Sequence, residues 1–122
     1  SLKTTLSYLK SIDNKLAELR FNVESLASEE MAYRMLYATQ GLPRLISRLI
    51  TRTLILHEHA DFISKKMIGT TFDSMSIKGH LHGFDPFEAQ NATVIKKYNE
   101  AMAKTSTLEE RNKHKMGTRL AK

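Results

Sequence analysis

The sequence predicts an all-α fold, a helical bundle of about four main helices, on three observations. Apolar residues recur three and four positions apart over several long stretches, which is the spacing of helices that bury one face. Helix-start signals precede two stretches, at Ser28 and at Asp85. The 122 residues include only two prolines and five glycines, too few for a disordered or fibrous chain. We expect one bundle domain over residues 1–104, followed by a short helix and a basic tail over 105–122.

The first predicted helix carries a heptad pattern, which we call the seam. Its residues lie alternately three and four positions apart: Leu9, Ile12, Leu16, Leu19, Val23 and Leu26. Side chains at such positions insert between the side chains of a facing helix, so the seam requires a second helix from this chain or from another. An intramolecular bundle and a coiled coil between chains both remain open.

The second helix is predicted to begin at Ser28 and to end near Gln40. Ser28 followed by two glutamates places a capping hydroxyl and acidic groups at the positive end of the helix dipole. Gly41 suits the left-handed conformation that ends many helices, and Pro43 suits the first turn of the next helix.

The stretch from Pro43 to Ile68 predicts a single helix of about seven turns. Its buried side is predicted to contain Leu45, Ile46, Leu49, Ile50, Thr53, Leu56, Ala60, Ile63 and Met67. Its other side has a narrow arc that we call the basic face: Arg44, Arg48, Arg52, Phe62 and Lys66. Because an isolated solvent-facing surface does not favour apolar side chains, Ile55 and Phe62 in this arc predict contact with a partner.

Residues 69–84 are predicted to form a loop, because they contain three of the five glycines and no sustained helical period. A short extended piece is expected at 72–77. A further helix is predicted to begin at Asp85, with Pro86 in its first turn. The last, short helix is predicted to begin at Ser106.

The net charge of +6 is concentrated in the centre and the tail of the chain. Residues 1–40 hold five basic and five acidic side chains, whereas residues 104–122 hold six basic and two acidic. The basic tail includes Lys113, Lys115, Arg119 and Lys122. This asymmetry predicts a partner that is polyanionic or acidic.

His57, Glu58 and His59 resemble a metal-binding run in composition, but not in geometry. At 100° per residue the two histidines point about 160° apart, so one helix cannot direct both at one ion. The sequence has no Gly-rich phosphate loop, no nucleophile elbow and no recognisable carboxylate pair. We therefore predict no catalytic residues, no cofactor and no metal site.

Two segments, SIDNKLAEL at 11–19 and RLITRTLILHEHADFI at 48–63, resemble the helical pattern of the small all-helical chorismate mutases. The resemblance implies an enzyme whose arginines and lysine hold a dicarboxylate. Here the corresponding inward positions of the first helix are Leu6 and Val23, which cannot bind a carboxylate. Without those charges the electrostatic stabilisation of such a reaction is lost, so an enzyme is the third of three hypotheses.

The first hypothesis is a non-catalytic helical subunit or adaptor that mediates protein–protein assembly, with other protein subunits or by self-association. The second is an RNA- or DNA-associated protein, such as a ribonucleoprotein or nucleocapsid component, that binds phosphates through the basic face and the tail. The absence of cysteine favours a reducing, intracellular location whose compartment stays open. No stretch has the roughly twenty apolar residues of a membrane span, so we expect no membrane insertion.

Overall fold

The computed structural model describes residues 1–75 and 85–104, and it confirms the all-α fold. These ranges contain five helices: α1 (Leu2–Glu18), α2 (Glu29–Thr39), α3 (Pro43–Leu56), α4 (Lys65–Ser74) and α5 (91–104). Within the same ranges the backbone pairing outside helices includes one isolated β-bridge, between Val23 and Ile63. The final helix predicted at Ser106 and the basic tail lie outside the described residues.

Helix α2 forms the centre of the bundle. α1 packs against it, α3 makes a smaller contact with it, and α4 packs on α3. Of its eleven residues seven are buried: Met31, Ala32, Arg34, Met35, Leu36, Ala38 and Thr39. α5 joins through an edge-on contact between the rings of Tyr33 and Tyr98, whose centroids are 5.3 Å apart. The predicted start of α2 is confirmed, because the hydroxyl of Ser28 accepts the N–H of Met31 at 3.1 Å.

The prediction that α1 continues through the seam to Leu26 is wrong, because the helix ends at Glu18. Arg20 takes the left-handed conformation with φ 64°. Its N–H donates to the carbonyl of Ala17, and the N–H of Phe21 donates to that of Leu16, at 3.0 and 2.9 Å. These two bonds form a helix-ending motif that usually contains glycine, so no sequence signal marked it here.

After α1 the chain is held against the helix it has just left. One carboxylate oxygen of Asp13 accepts the backbone N–H of Leu26, and the other accepts that of Ala27, each at 2.9 Å. Leu26 is fully buried in the core, although it does not belong to a helix.

The single helix predicted from Pro43 to Ile68 is also wrong, because residues 57–64 separate α3 from α4. The separating segment pairs instead with the chain that follows α1. The N–H of Ile63 donates to the carbonyl of Asn22 at 2.9 Å, and the carbonyl of Ile63 accepts the N–H of Glu24 at 2.8 Å. A carboxylate oxygen of Glu24 then accepts the N–H of Lys65 at the start of α4, also at 2.8 Å. The pairing between residues 22–24 and 63–65 therefore interrupts the helix that the local apolar spacing predicts.

The loop predicted over residues 69–84 begins later than expected, because α4 continues to Ser74. The extended piece predicted at 72–77 is therefore wrong for its first three residues, and residues 76 and 77 lie outside the described ranges. Gly69 lies within α4 without ending it, and it allows the helix to pack closely against Phe87. A Cβ atom at this position would lie 2.9 Å from the Cβ of Phe87. The ring of Phe87 packs on that of Phe72, with centroids 5.4 Å apart.

The helix predicted to begin at Asp85 begins at residue 91 instead. Asp85 does cap a turn, since its carboxylate accepts the N–H of Phe87 at 2.9 Å. The guanidinium of Arg34 donates hydrogen bonds to the carbonyls of Pro86 and Ala89, at 2.6 and 2.7 Å. These two bonds tie the turn before α5 to α2.

Candidate interaction surface

Three arginines on the outer side of α3 form the most distinctive charged feature of the described surface. Arg44, Arg48 and Arg52, which we call the arginine row, are all exposed and lie one helical step apart. α3 itself contains no aspartate or glutamate. Within residues 1–75 and 85–104, no salt bridge involves any of the three. No acidic side chain in the described ranges therefore neutralises their charges.

The arginine row occupies positions that oppose the stability of α3. Arg44 lies in the first turn, at the positive end of the helix dipole, and no acidic residue offsets it there. Like charges four positions apart on a helix repel each other, and the row contains two such pairs. A local arrangement that works against the fold is expected where residues serve function.

The predicted basic face is wrong as one helix face, because its five residues come from three segments. The arginine row belongs to α3, Phe62 lies in the segment 57–64, and Lys66 belongs to α4. Phe62 and Lys66 are both exposed, so each of the five side chains still reaches solvent.

Five large apolar side chains remain exposed where α1 and α3 end, and we call them the apolar end patch. Their exposed fractions lie between 44% and 61%: Leu19, Phe21, Ile55, Leu56 and Phe62. The hydrogen bond between the Asn22 side chain and the Asp61 carbonyl, at 2.9 Å, brings the two chain segments together. Sequence reasoning placed Leu56 on the buried side and did not single out Phe21, because it continued both helices past their true ends.

Most of the seam is used inside the protein. Leu9, Leu16 and Leu26 are buried in the core, and Ile12 and Val23 pack against it. Leu19 alone among the six seam residues belongs to the apolar end patch. Val23 lies beyond the end of α1, so the two inward positions named for the chorismate mutase resemblance do not share one helix.

A second charged cluster lies inside the bundle around Arg34, which is 5% exposed. Besides the two backbone carbonyls, its guanidinium donates to the side-chain oxygen of Asn91 and, at 3.3 Å, to a carboxylate oxygen of Glu30. The ammonium of Lys65 reaches the same oxygen of Glu30 at 2.5 Å. The hydrogen bond from Lys65 is the main reason that the pKa of Glu30 lies below its ordinary value, and Asn91 and Arg34 act in the same direction.

The histidines considered as metal ligands do not form a site among the described residues. His57 caps the C-terminal end of α3, and its Nδ1 atom donates to the carbonyl of Thr53 at 3.0 Å. His59 pairs with the adjacent Glu58 at 3.5 Å. Elsewhere Asp73, Asp85 and Glu88 bring carboxylate oxygens within 4.8 Å of one another, an oxygen set of the kind that hard cations such as Ca²⁺ prefer. Exposed acidic groups also gather without an ion, so this cluster carries no assignment.

A cleft of about 530 Å³ lies between the ends of α2 and α5. Its lining consists of Ser1, Leu36, Tyr37, Gln40, Tyr98, Ala101 and Met102. These residues supply hydroxyl and amide groups but no carboxylate, histidine or lysine, so they do not assemble the usual nucleophile with its base.

Comparisons with protein-family models, with curated proteins and with solved structures gave no significant match to this chain. In the described parts of the chain, none of the helices combines the length and the apolar character needed to cross a membrane. Lys113, Lys115, Arg119 and Lys122 of the predicted basic tail lie outside those parts.

Proposed function

We propose that this protein is a non-catalytic helical subunit or adaptor that assembles with a protein partner through the outer side of α3. The arginine row carries the proposal, because it presents three exposed cations on a helix that contains no acid. Cations meant only for solubility would be interspersed with acids along a helix, as they are on α1. A partner that supplies carboxylates would relieve the repulsion within the row.

The apolar end patch favours protein over other acidic partners. Interface cores are enriched in aromatic side chains and arginine, and an exposed apolar group at one end of a basic surface matches that composition. Ile55 and Leu56 follow Arg52 by one helical turn, so the charged and the apolar parts adjoin.

Binding of a fluorescent polyglutamate peptide to the purified protein tests the proposal. The variant R44Q/R48Q/R52Q removes the arginine row, and K3Q/K10Q/K15Q on α1 removes the same net charge from exposed lysines. We expect the arginine variant to lose at least about tenfold in affinity and the lysine variant to stay within about twofold. Equal losses in both variants would contradict a specific role for α3.

Nucleic-acid association is the second candidate, and the spacing of the arginine row favours it. Cations repeated every four residues with no intervening acid can contact successive phosphates without reading sequence. Light scattering with a generic RNA at low and at high salt distinguishes this candidate, since phosphate binding falls steeply as salt rises. A stable dimer whose mass does not change when RNA is added would indicate that the surface serves self-association.

A further inference from the structure

We infer that the partner segment is an acidic protein stretch that ends in a bulky apolar anchor. Its carboxylates lie along the arginine row, and its anchor sits on the apolar end patch. This inference rests on the proposed function, because it names the chemistry and the direction of the segment that α3 would bind.

The spacing of the arginine row fits a partner in helical conformation. At 1.5 Å per residue, Arg44 and Arg52 are separated by about 12 Å along the axis of α3. Acidic residues four positions apart on a second helix repeat at the same rise, so one partner helix alongside α3 meets all three guanidinium groups. Each guanidinium can hold a carboxylate through two parallel hydrogen bonds.

The part of the apolar end patch that lies on α3 directly follows the arginine row. Ile55 and Leu56 are the last residues of α3, three and four positions after Arg52. Residues 61–63 then return beside residues 22–24 through the bonds between Asn22, Ile63 and Glu24, which places Phe62 next to the chain that follows Phe21. The segment that follows α1 and the segment that follows α3 therefore both place apolar side chains at this end of the bundle.

Charge gives the docked segment a direction. The arginine row has no acidic neighbour on α3, whereas Glu58 and Asp61 are exposed in the segment that follows it. Carboxylates of the partner are attracted along α3 and repelled beyond its end, so the apolar part of the partner must occupy that end.

The patch favours protein over nucleic acid as the occupant. Single-stranded nucleic acids bind through cations and through aromatic rings on which bases stack. Leu19, Ile55 and Leu56 have no flat face for stacking, and they make up most of the patch. Aliphatic side chains gain most from covering by other apolar side chains, which a protein segment supplies.

Three labelled probes of equal charge test the inference by fluorescence anisotropy. The first is a helical peptide with glutamates four residues apart and a leucine–phenylalanine cluster after the last one. The second has alanine in place of the cluster, and the third is a single-stranded RNA. We expect the first peptide to bind at least about tenfold more tightly than the second, because only it covers the apolar end patch. The pair of peptides needs no change in the protein, so this comparison does not depend on the folding of a variant.

Two single substitutions, at the last residue of α3 and at the residue just before its start, supply a matched control. Leu56 and Leu42 are leucines at opposite ends of the helix, both about half exposed. Leu56→Gln should remove most of the advantage of the first peptide over the second, whereas Leu42→Gln should leave it unchanged. Circular dichroism checks that both variants retain the parent helix content.

Each outcome separates the inference from the proposed function. If both peptides bind alike and lose affinity in R44Q/R48Q/R52Q, the apolar anchor is refuted and the role of α3 in assembly stands. Tighter binding of RNA than of either peptide would overturn the choice of protein as occupant. If the peptides bind R44Q/R48Q/R52Q as tightly as the parent protein, both proposals fail.

Discussion

Arginine has two opposite environments in this protein. Arg34 is buried at the centre of the bundle, where its guanidinium donates to two backbone carbonyls, an asparagine and a glutamate. Arg44, Arg48 and Arg52 are exposed on one side of α3, with no salt bridge inside the described residues. Arg34 therefore contributes to the fold. The arginine row forms no ion pair with the described residues.

Satisfied hydrogen-bond donors distinguish a structural charge from a functional one. A guanidinium removed from water is stable only when its donors are satisfied, so the surroundings of Arg34 have been fitted to it. An exposed row of like charges contributes nothing of that kind and slightly opposes the helix that carries it. Substitutions should therefore affect folding at one site and binding at the other.

Replacing Arg34 should give the largest loss of stability. Arg34→Met keeps a long side chain but leaves the carbonyls of Pro86 and Ala89 without their donors, and it removes one partner of Glu30. Loss of buried polar partners of this kind costs about 3 kcal/mol or more. The midpoint and slope of urea unfolding measure the change.

The matched control is Arg48→Met, the same substitution at an exposed arginine. It should change the free energy of unfolding by less than about 0.5 kcal/mol, as surface substitutions usually do. If the two variants unfold at the same urea concentration, the distinction between the two classes of arginine is wrong.

Gly69→Ala should give the next largest effect, at the packing contact between α4 and the turn that Arg34 holds. The new methyl group would lie 2.9 Å from the Cβ of Phe87, so one of the two segments must move. Overpacking typically costs about 1–3 kcal/mol, although alanine is the better helix former by about 1 kcal/mol. Repeating the change in a Phe87→Gly background, which removes that Cβ atom, should remove the cost. An equal cost in both backgrounds would show that Phe87 is not what requires the glycine.

The pH dependence of stability should report the cluster around Arg34. The pKa of Glu30 is lower in the folded protein than its ordinary value of 4.5, chiefly through the hydrogen bond from Lys65. The folded state therefore binds fewer protons there than the unfolded state. Glu30 contributes stability above pH 4.5, and this contribution is lost as the pH falls through the lowered pKa.

Urea unfolding at a series of pH values from about 6 to about 3 measures this dependence. The variant Glu30→Gln should flatten the curve over the acidic part of that range. Glu29→Gln, at the exposed neighbouring position, is the control and should leave most of the slope in place. A slope unchanged by Glu30→Gln would show that Glu30 does not cause the pH dependence of stability.

The helical fold and several helix ends followed from local sequence. The cap at Ser28, Pro43 in the first turn of α3 and the left-handed Gly41 are local chemistry, and all three are present; Gln40, just before Gly41, is left-handed too. The ends of α1 and α3 were missed because other parts of the chain set them: residues 22–24 pair with 61–65, and Arg20 takes a conformation that glycine usually supplies. Periodicity alone cannot report a pairing between segments about forty residues apart.

The candidate surface was predictable only in part, for the same reason. The arginine row needs a single continuous helix, and the pattern of α3 shows one. The apolar end patch depends on where α1 and α3 stop, so sequence reasoning could assign neither Phe21 nor Leu56 to it. The involvement of Arg34 was hidden as well, because its partners Pro86 and Ala89 lie more than fifty residues away.

The smallest effect on stability should come from the arginine row itself. R44Q/R48Q/R52Q keeps residues of similar helix propensity, removes two repulsive pairs and takes a cation away from the positive end of α3. We expect stability to be unchanged or to rise by up to about 1 kcal/mol, measured by urea unfolding at low salt. Added salt should reduce any gain, because it screens the repulsion in the parent protein. A variant that unfolds more readily than the parent would mean that the row supports the fold and does not serve a partner.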